Sequence, residues 1–169
     1  RQNAGDGRIR GVEAEVTLNP VDGFDIDASV SYLSGKWKTI DVRVGNAILL
    51  TDPLATPEWK WSIGAQYKMD LGNSGSFTPR VDANYTGKIS AGRTVGGGPI
   101  EYFPSYTLAN LRMTWKNPDE DLAISFEATN LFDKYYNPFR FAAVFGFSGT
   151  IYSQVGRPRE WAISVKKTF

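Results

Sequence analysis

Two pairs of carboxylates sit at alternate positions near the start of the chain, Glu13 with Glu15 and Asp25 with Asp27. In an extended segment each pair projects from a single face. Paired carboxylates can exchange protons with a substrate or hold calcium. A plainer use competes with both: a wetted wall, where water makes charge cheap. Asp119-Glu120-Asp121 reads as a charged tight turn for the same reason. The chain has no histidine and no cysteine. The usual serine triad therefore lacks its base, and soft metal sites built on imidazole or thiolate lack their ligands. Gly92-Arg93-Thr94-Val95-Gly96-Gly97-Gly98-Pro99 is glycine-rich but has no Gly-Lys-Ser/Thr close, so it reads as an external loop and not a phosphate cradle. Nothing here points to an enzyme, a metal site or a cofactor.

What remains is binding. Residues 137–149 hold Phe139, Phe141, Val144, Phe145 and Phe147 with one cation, Arg140. So apolar a loop covers or contacts something: it packs against neighbouring loops, or it walls a ligand arriving from outside. On chemistry alone, Trp37, Arg43, Arg93, Tyr102, Arg140 and Tyr152 are the candidates to meet an anionic ligand at the mouth of the molecule.

The elements that would carry these residues are strands. Alternating apolar and polar residues mark segments at roughly 9–18, 24–40, 58–70, 77–89, 106–116, 122–136 and 159–169. Trp59, Trp61, Ile63, Ala65, Tyr67 and Met69 point one way, and Lys60, Ser62, Gly64, Gln66 and Lys68 the other. Short connections alternate with long ones. In an antiparallel meander, all the short turns then fall at one end of the sheet and all the long loops at the other. That is the layout of a transmembrane β-barrel. A soluble sandwich would show the same alternation, because it buries one face and wets the other. Strand length favours the membrane, since several segments exceed ten residues where globular strands have about 5–6. So do the aromatics near strand ends (Phe24, Tyr32, Trp59, Tyr67, Phe77, Tyr85, Trp115), placed as interfacial girdles require.

The formal net charge of +1, with no basic stripe, argues against a nucleic-acid partner. No apolar run approaches the ~20 residues of a membrane helix, which leaves membrane strands untouched. Arg1-Gln2-Asn3-Ala4-Gly5 is not a signal peptide. An outer-membrane protein needs one for export, so the expectation is a mature or truncated chain.

Several motifs carry a family resemblance. Asn130-Leu131-Phe132-Asp133-Lys134-Tyr135-Tyr136, then Gly156-Arg157-Pro158-Arg159 and a strand ending in Phe169, resemble the last two strands of a TonB-dependent outer-membrane receptor. Asn3-Ala4-Gly5 followed by Gly11-Val12-Glu13 is similar to the start of an earlier barrel strand in these receptors. The resemblance implies an all-β, antiparallel transmembrane meander, about seven strands of a larger barrel of the 22-stranded plugged kind. Residues 1–169 would be the C-terminal portion of the barrel, without the plug domain and the earlier strands. It implies a bacterial outer-membrane location and active uptake of a scarce nutrient, by default a ferric siderophore, energised through TonB. Implied partners are outer-membrane lipid and lipopolysaccharide, the rest of the receptor with its plug, TonB through the missing N-terminal part, a small-molecule chelate, and the barrel-assembly machinery. That machinery would read the alternating row Trp161, Ile163, Val165 and Phe169, which Lys167 interrupts. The alternatives are a small self-contained outer-membrane barrel or a soluble β-sandwich binding module.

Overall fold

The computed structural model describes residues 5–40, 52–93, 99–141 and 152–169. Among these residues twelve strands succeed one another: β1 (Gly5–Val21), β2 (Phe24–Ile40), β3 (Trp59–Tyr67), β4 (Met69–Asp70), β5 (Ser76–Thr86), β6 (Ile89–Arg93), β7 (Ile100–Phe103), β8 (Tyr106–Lys116), β9 (Leu122–Thr129), β10 (Phe139–Phe141), β11 (Tyr152–Gln154) and β12 (Glu160–Lys167). The main sheet runs β1-β2-β3-β5-β8-β9-β12, with the short β4 continuing β3 alongside β5. Every pairing in it is antiparallel. These seven strands are the seven that alternation marks in the sequence.

Register preserves the two faces across the whole sheet. Val16, Ala28, Ile63, Ala83 and Ala109 form one row of partners, while Asp27, Gly64, Asp82 and Asn110 form a row on the other face. The tight turns all lie at one end. The sharpest is Asp22-Gly23, where Gly23 takes φ 78°, a left-handed backbone that glycine adopts without strain. The carbonyl of Gly23 accepts the N–H of Lys68 at 2.7 Å, tying this turn to the next.

Several boundaries differ from the sequence reading: the first strand runs from Gly5 to Val21 instead of 9–18, and two later ones differ in kind. The fourth strand ends at Thr86, and Ile89 begins a separate hairpin in which β6 pairs with β7, inside what reads as a long loop. The sixth strand ends at Thr129 instead of continuing to 136. Asn130 there takes φ 49°, which breaks the pleat, and its side chain captures the chain that follows. Residues 139–141 and 152–154 likewise pair as a two-stranded hairpin in the last long connection.

The sheet has no second layer among the described residues. Among the described residues only Phe103 and Ala128 are buried apolar side chains, and no large side chain is fully buried. Val12, Ile63, Val165 and Ile163 are 71%, 46%, 66% and 75% exposed. An apolar face this broad is not stable against water. Hydrocarbon is the medium that would cover it while leaving the backbone paired within the sheet. Aromatic pairs bracket the face. Phe24 and Tyr67 meet edge to face at the tight-turn end, with ring centroids 6.2 Å apart. At the other end Tyr32 meets Trp59 at 4.8 Å and Trp61 stacks on Tyr85 at 5.6 Å. Trp59 and Tyr67 bound β3, which spans about 26 Å along the strand at ~3.3 Å per residue. A membrane barrel presents an apolar band of this order, about 25 Å tall.

Candidate functional site: the polar wall and its mouth

Opposite the apolar band, strands β2, β3 and β5 place three charged groups around one glycine. The Arg80 guanidinium lies over Gly64, with Nη2 2.8 Å from Asp27 and 2.6 Å from Asp82, and its Nε donates to Asp82 at 3.0 Å. Asp27, Gly64 and Asp82 are successive partners across the three strands. A β-carbon at Gly64 would collide with the guanidinium and both carboxylates. The missing side chain lets the cation lie flat against the sheet and span two strands; a β-carbon would have to push these flexible side-chain ends aside. The neighbouring row continues the pattern: Gln66 donates to Asp25 at 2.7 Å, and Arg112 pairs with Glu127 at 3.0 Å. Hydroxyl pairs fill other rows, Ser29 with Ser62 at 2.7 Å and Thr114 with Ser125 at 3.0 Å.

The carboxylates singled out in the sequence thus have structural partners. Asp27 is held by Arg80, and Asp25 accepts from Gln66 and Asn19. Glu13 and Glu15 border an open hollow of about 350 Å³ beside Ser29, Lys60, Ser62 and Asn84. A second hollow, about 400 Å³, is lined wholly from the polar face, by Gln66, Arg80, Arg112, Thr114 and Lys166 among others. No cluster of three potential metal ligands occurs among the described residues. Such a wall is polar, charge-compensated and shallow.

Toward the long-loop end, the polarity of both faces inverts, which the sequence reading missed. On β1 and β2 the row Val12–Tyr32 is followed on its own face by Arg10–Ser34 and Arg8–Lys36. The opposite face changes from Glu13–Ser31 to Gly11–Leu33, Ile9–Gly35 and Gly7–Trp37. Leu54 covers Gly35 and Gly7 on that side. The signal was present: alternation continues through Arg8, Ile9, Arg10 and Gly11, but with the apolar parity reversed.

Five of the six candidate ligand residues lie among the described residues, scattered over this end. Trp37, half-buried, faces the polar-wall side at the mouth, opposite Gly7. Arg93 closes β6 opposite Ile100, and Tyr102 lies on β7 of the same hairpin, with Lys88 Nζ 5.0 Å from its ring centroid. Arg140 pairs with Ser153 and Tyr152 with Phe141, so these two share the β10–β11 hairpin. Arg43, with Val144, Phe145 and Phe147, lies outside the described residues. Arg93 and Tyr102 are thus brought together, as are Arg140 and Tyr152, but in two separate sheets.

Below the last hairpin the Asn130 motif forms a knot. The Asn130 side chain, 4% exposed, donates to the carbonyls of Lys134 and Arg157 at 3.0 and 3.1 Å and accepts the Lys134 N–H at 2.8 Å. Asp133 accepts the Arg159 N–H at 2.9 Å, and the Tyr136 ring meets Tyr106 in a tilted contact, centroids 4.7 Å apart. The knot docks the start of β12 on the end of β9.

On β12, Trp161, Ile163 and Val165 face the apolar side opposite Ala128, Phe126 and Ile124. Lys167 continues their row, and its ammonium reaches Asp121 in the tight turn. The cation that breaks the apolar row therefore lies at the edge of the band, paired. Phe169 lies beyond it, fully exposed.

A family model described as TonB dependent receptor-like, beta-barrel, matches residues 1–131. No curated protein matches. The ferric yersiniabactin uptake receptor FyuA of Yersinia pestis superposes with a TM-score of 0.75 at 18% identity, over 99% of this chain and 24% of its own. The ferric-catecholate import receptor Fiu of Escherichia coli K12 gives 0.73 at 19%, over 98% and 21%. The ferric preacinetobactin receptor BauA of Acinetobacter baumannii gives 0.68 at 21%, over 97% and 22%. The chain thus spans about a quarter of the length of these receptors. Most of the closing-strand motifs lie beyond the family match, in the part that the superpositions cover.

Proposed function

The chain belongs to the TonB-dependent receptor β-barrel family, and from that premise we propose that it forms the C-terminal portion of an outer-membrane uptake barrel. The family is one of transport receptors and not of enzymes, and it resides in the outer membrane. One observation carries the reading: a single-layered sheet whose apolar face has no protein cover and whose other face is cross-linked by ions and hydroxyls. That single layer leaves the soluble sandwich without its second sheet. Earlier strands would pair with the free edges of β1 and β12, because unpaired edges are untenable in hydrocarbon. A plug domain would occupy the lumen, and a segment outside these residues would engage TonB.

The proposed cargo is a ferric siderophore. The solved relatives named above are receptors for ferric chelates, and chelates of this kind are commonly anionic. Trp37, Arg43, Arg93, Tyr102, Arg140 and Tyr152 are the residues proposed to meet it, and the row that holds Gln66, Arg80 and Arg112 would line its passage. A strain lacking the full receptor should fail to grow on one or more ferric chelates as sole iron source and grow normally on a panel of carbon sources. Arg93→Gln and Arg140→Gln together should raise the chelate concentration needed for growth by about tenfold, as expected from losing two charge-assisted contacts of the kind that carry ~1.5–3 kcal/mol each, partly compensated by others. Growth unaffected on every iron source, with a defect on a carbohydrate, would contradict the iron assignment.

A further inference from the structure

The alternating row of β12 leaves its own register open. Trp161, Ile163 and Val165 stand opposite Ala128, Phe126 and Ile124 on the apolar side. Side chains repeat every two residues along a strand, so a slip of one would turn this row onto the polar face. A slip of two keeps every member on the apolar side. Something less periodic must fix the pairing of β12 with β9. The tight turn after β8 supplies it. Lys167, opposite Leu122, reaches one carboxylate oxygen of Asp121. The Asn117 amide donates to the other oxygen at 2.7 Å, and the Asn117 side-chain carbonyl accepts the Leu122 N–H at 2.9 Å. The backbone carbonyl of Asp121 accepts the Thr168 N–H at 2.8 Å. One turn thus grips Lys167 and Thr168 together. A second pin lies toward the mouth, where Asp133 holds the Arg159 N–H.

A two-residue slip toward the mouth would bring Lys167 opposite Ile124, level with Trp115, where the apolar band begins. The ammonium would lose Asp121 and enter the edge of the hydrocarbon. A slip the other way would carry Lys167 past Leu122 and break the Thr168 bond. We propose that Lys167, with Asp121 as its receptor, is the register stop of β12. The cation that interrupts the apolar row is what makes the row pair in one alignment only. The inference rests on the reading of β12 as a lipid-facing barrel strand whose far edge joins earlier strands. A slipped β12 would misalign that seam by two residues as well. A pure targeting row has the opposite requirement, since an apolar residue at 167 could only strengthen it.

The test uses the complete receptor assembled in cells, with any other cysteines replaced and Asp133→Ala to loosen the pin at the mouth. Cysteines directly opposite each other can join on mild oxidation, while diagonal neighbours about 7–8 Å apart are out of reach. Ser125→Cys with Ser164→Cys therefore reports the aligned register, and Ser125→Cys with Lys166→Cys reports the slip toward the mouth. With Lys167 present, only the first pair should cross-link. Lys167→Leu should raise cross-linking of the second pair about tenfold, because an exposed ion pair is lost and no cation resists the edge of the band. Exchanging the charges, Lys167→Asp with Asp121→Lys, should return cross-linking to the first pair and recover whatever folded yield either single change loses. A second-pair signal unmoved by Lys167→Leu would overturn the proposal, as would slip already present with Lys167 in place. An exchange no better than the single changes would overturn it too. Absence of the first cross-link in the otherwise unaltered strand would remove the β9–β12 pairing itself. A receptor missing from the outer membrane would instead remove the barrel reading, and the proposal with it.

Discussion

Gly64 shows how a single side chain, or its absence, organises the lumen wall. The Arg80 guanidinium occupies the space a β-carbon would need and links Asp27 to Asp82 across three strands. Gly64→Ala should destabilise the folded barrel by about 1 kcal/mol, the low end of overpacking costs, because the groups it meets are flexible side-chain ends, measured by denaturant titration in lipid. Most of that loss should vanish in an Arg80→Ala background; an undiminished loss there would place the strain elsewhere. On the facing side, Ile63→Arg or Ala83→Arg should cost about 2–4 kcal/mol if these residues meet the bilayer centre. Gln66→Arg should cost less, since Asp25 can receive the cation although Arg80 stands directly opposite on β5. Equal costs on both faces would contradict the assignment of faces. The sequence made these parities legible because a strand's side-chain period of two survives any uncertainty in strand ends. It did not make Arg80's partners legible, because they come from cross-strand register, which no local pattern states.

The ends of the strands are where local pattern misled and where the elements are locked. Alternation carries on past Thr129, yet the strand stops, because the Asn130 side chain offers the backbone better hydrogen bonds than the ladder does. Ile89 keeps the apolar parity of the fourth strand but belongs to a loop hairpin. The reversal above Val12 is another case: parity was visible, but which side would be covered depends on where the membrane ends. Asn130→Ala should lower stability by about 1–3 kcal/mol, from the backbone groups of Lys134 and Arg157 left unmatched. At the opposite end, Lys116 and Lys68 hold the Glu120 carboxyl below its usual range, and Lys167 with Asn117 does the same for Asp121. Groups with depressed folded values stabilise above the ordinary carboxylate range and lose that contribution as pH falls through their own titration. The melting temperature should therefore be level near neutrality and drop in acid, and Glu120→Gln with Asp121→Asn should flatten part of that drop. An unchanged acid limb in the double variant would exclude these turns as its source. Deleting Phe169 should reduce the yield of assembled barrel while leaving the stability of correctly assembled molecules intact. Undiminished assembly would remove the proposed targeting role of the last strand.

At the scale of the molecule, one sheet with two different faces is intelligible only through two different media. Hydrocarbon on one side makes the exposed Ile63, Val165 and Ile163 favourable; water on the other makes the ion pairs of Arg80 and Arg112 cheap to keep. The absence of cysteine from these residues allows single spin labels to be placed without a competing site here. The most direct test is a nitroxide scan of residues 59–67 in the complete receptor in bilayers, comparing accessibility to oxygen with accessibility to a water-soluble nickel chelate. Labels at 59, 61, 63, 65 and 67 should favour oxygen, with the maximum near 63, and labels at 60, 62, 64 and 66 should favour the chelate. A flat profile, or the same alternation with the two reagents exchanged, would contradict the account.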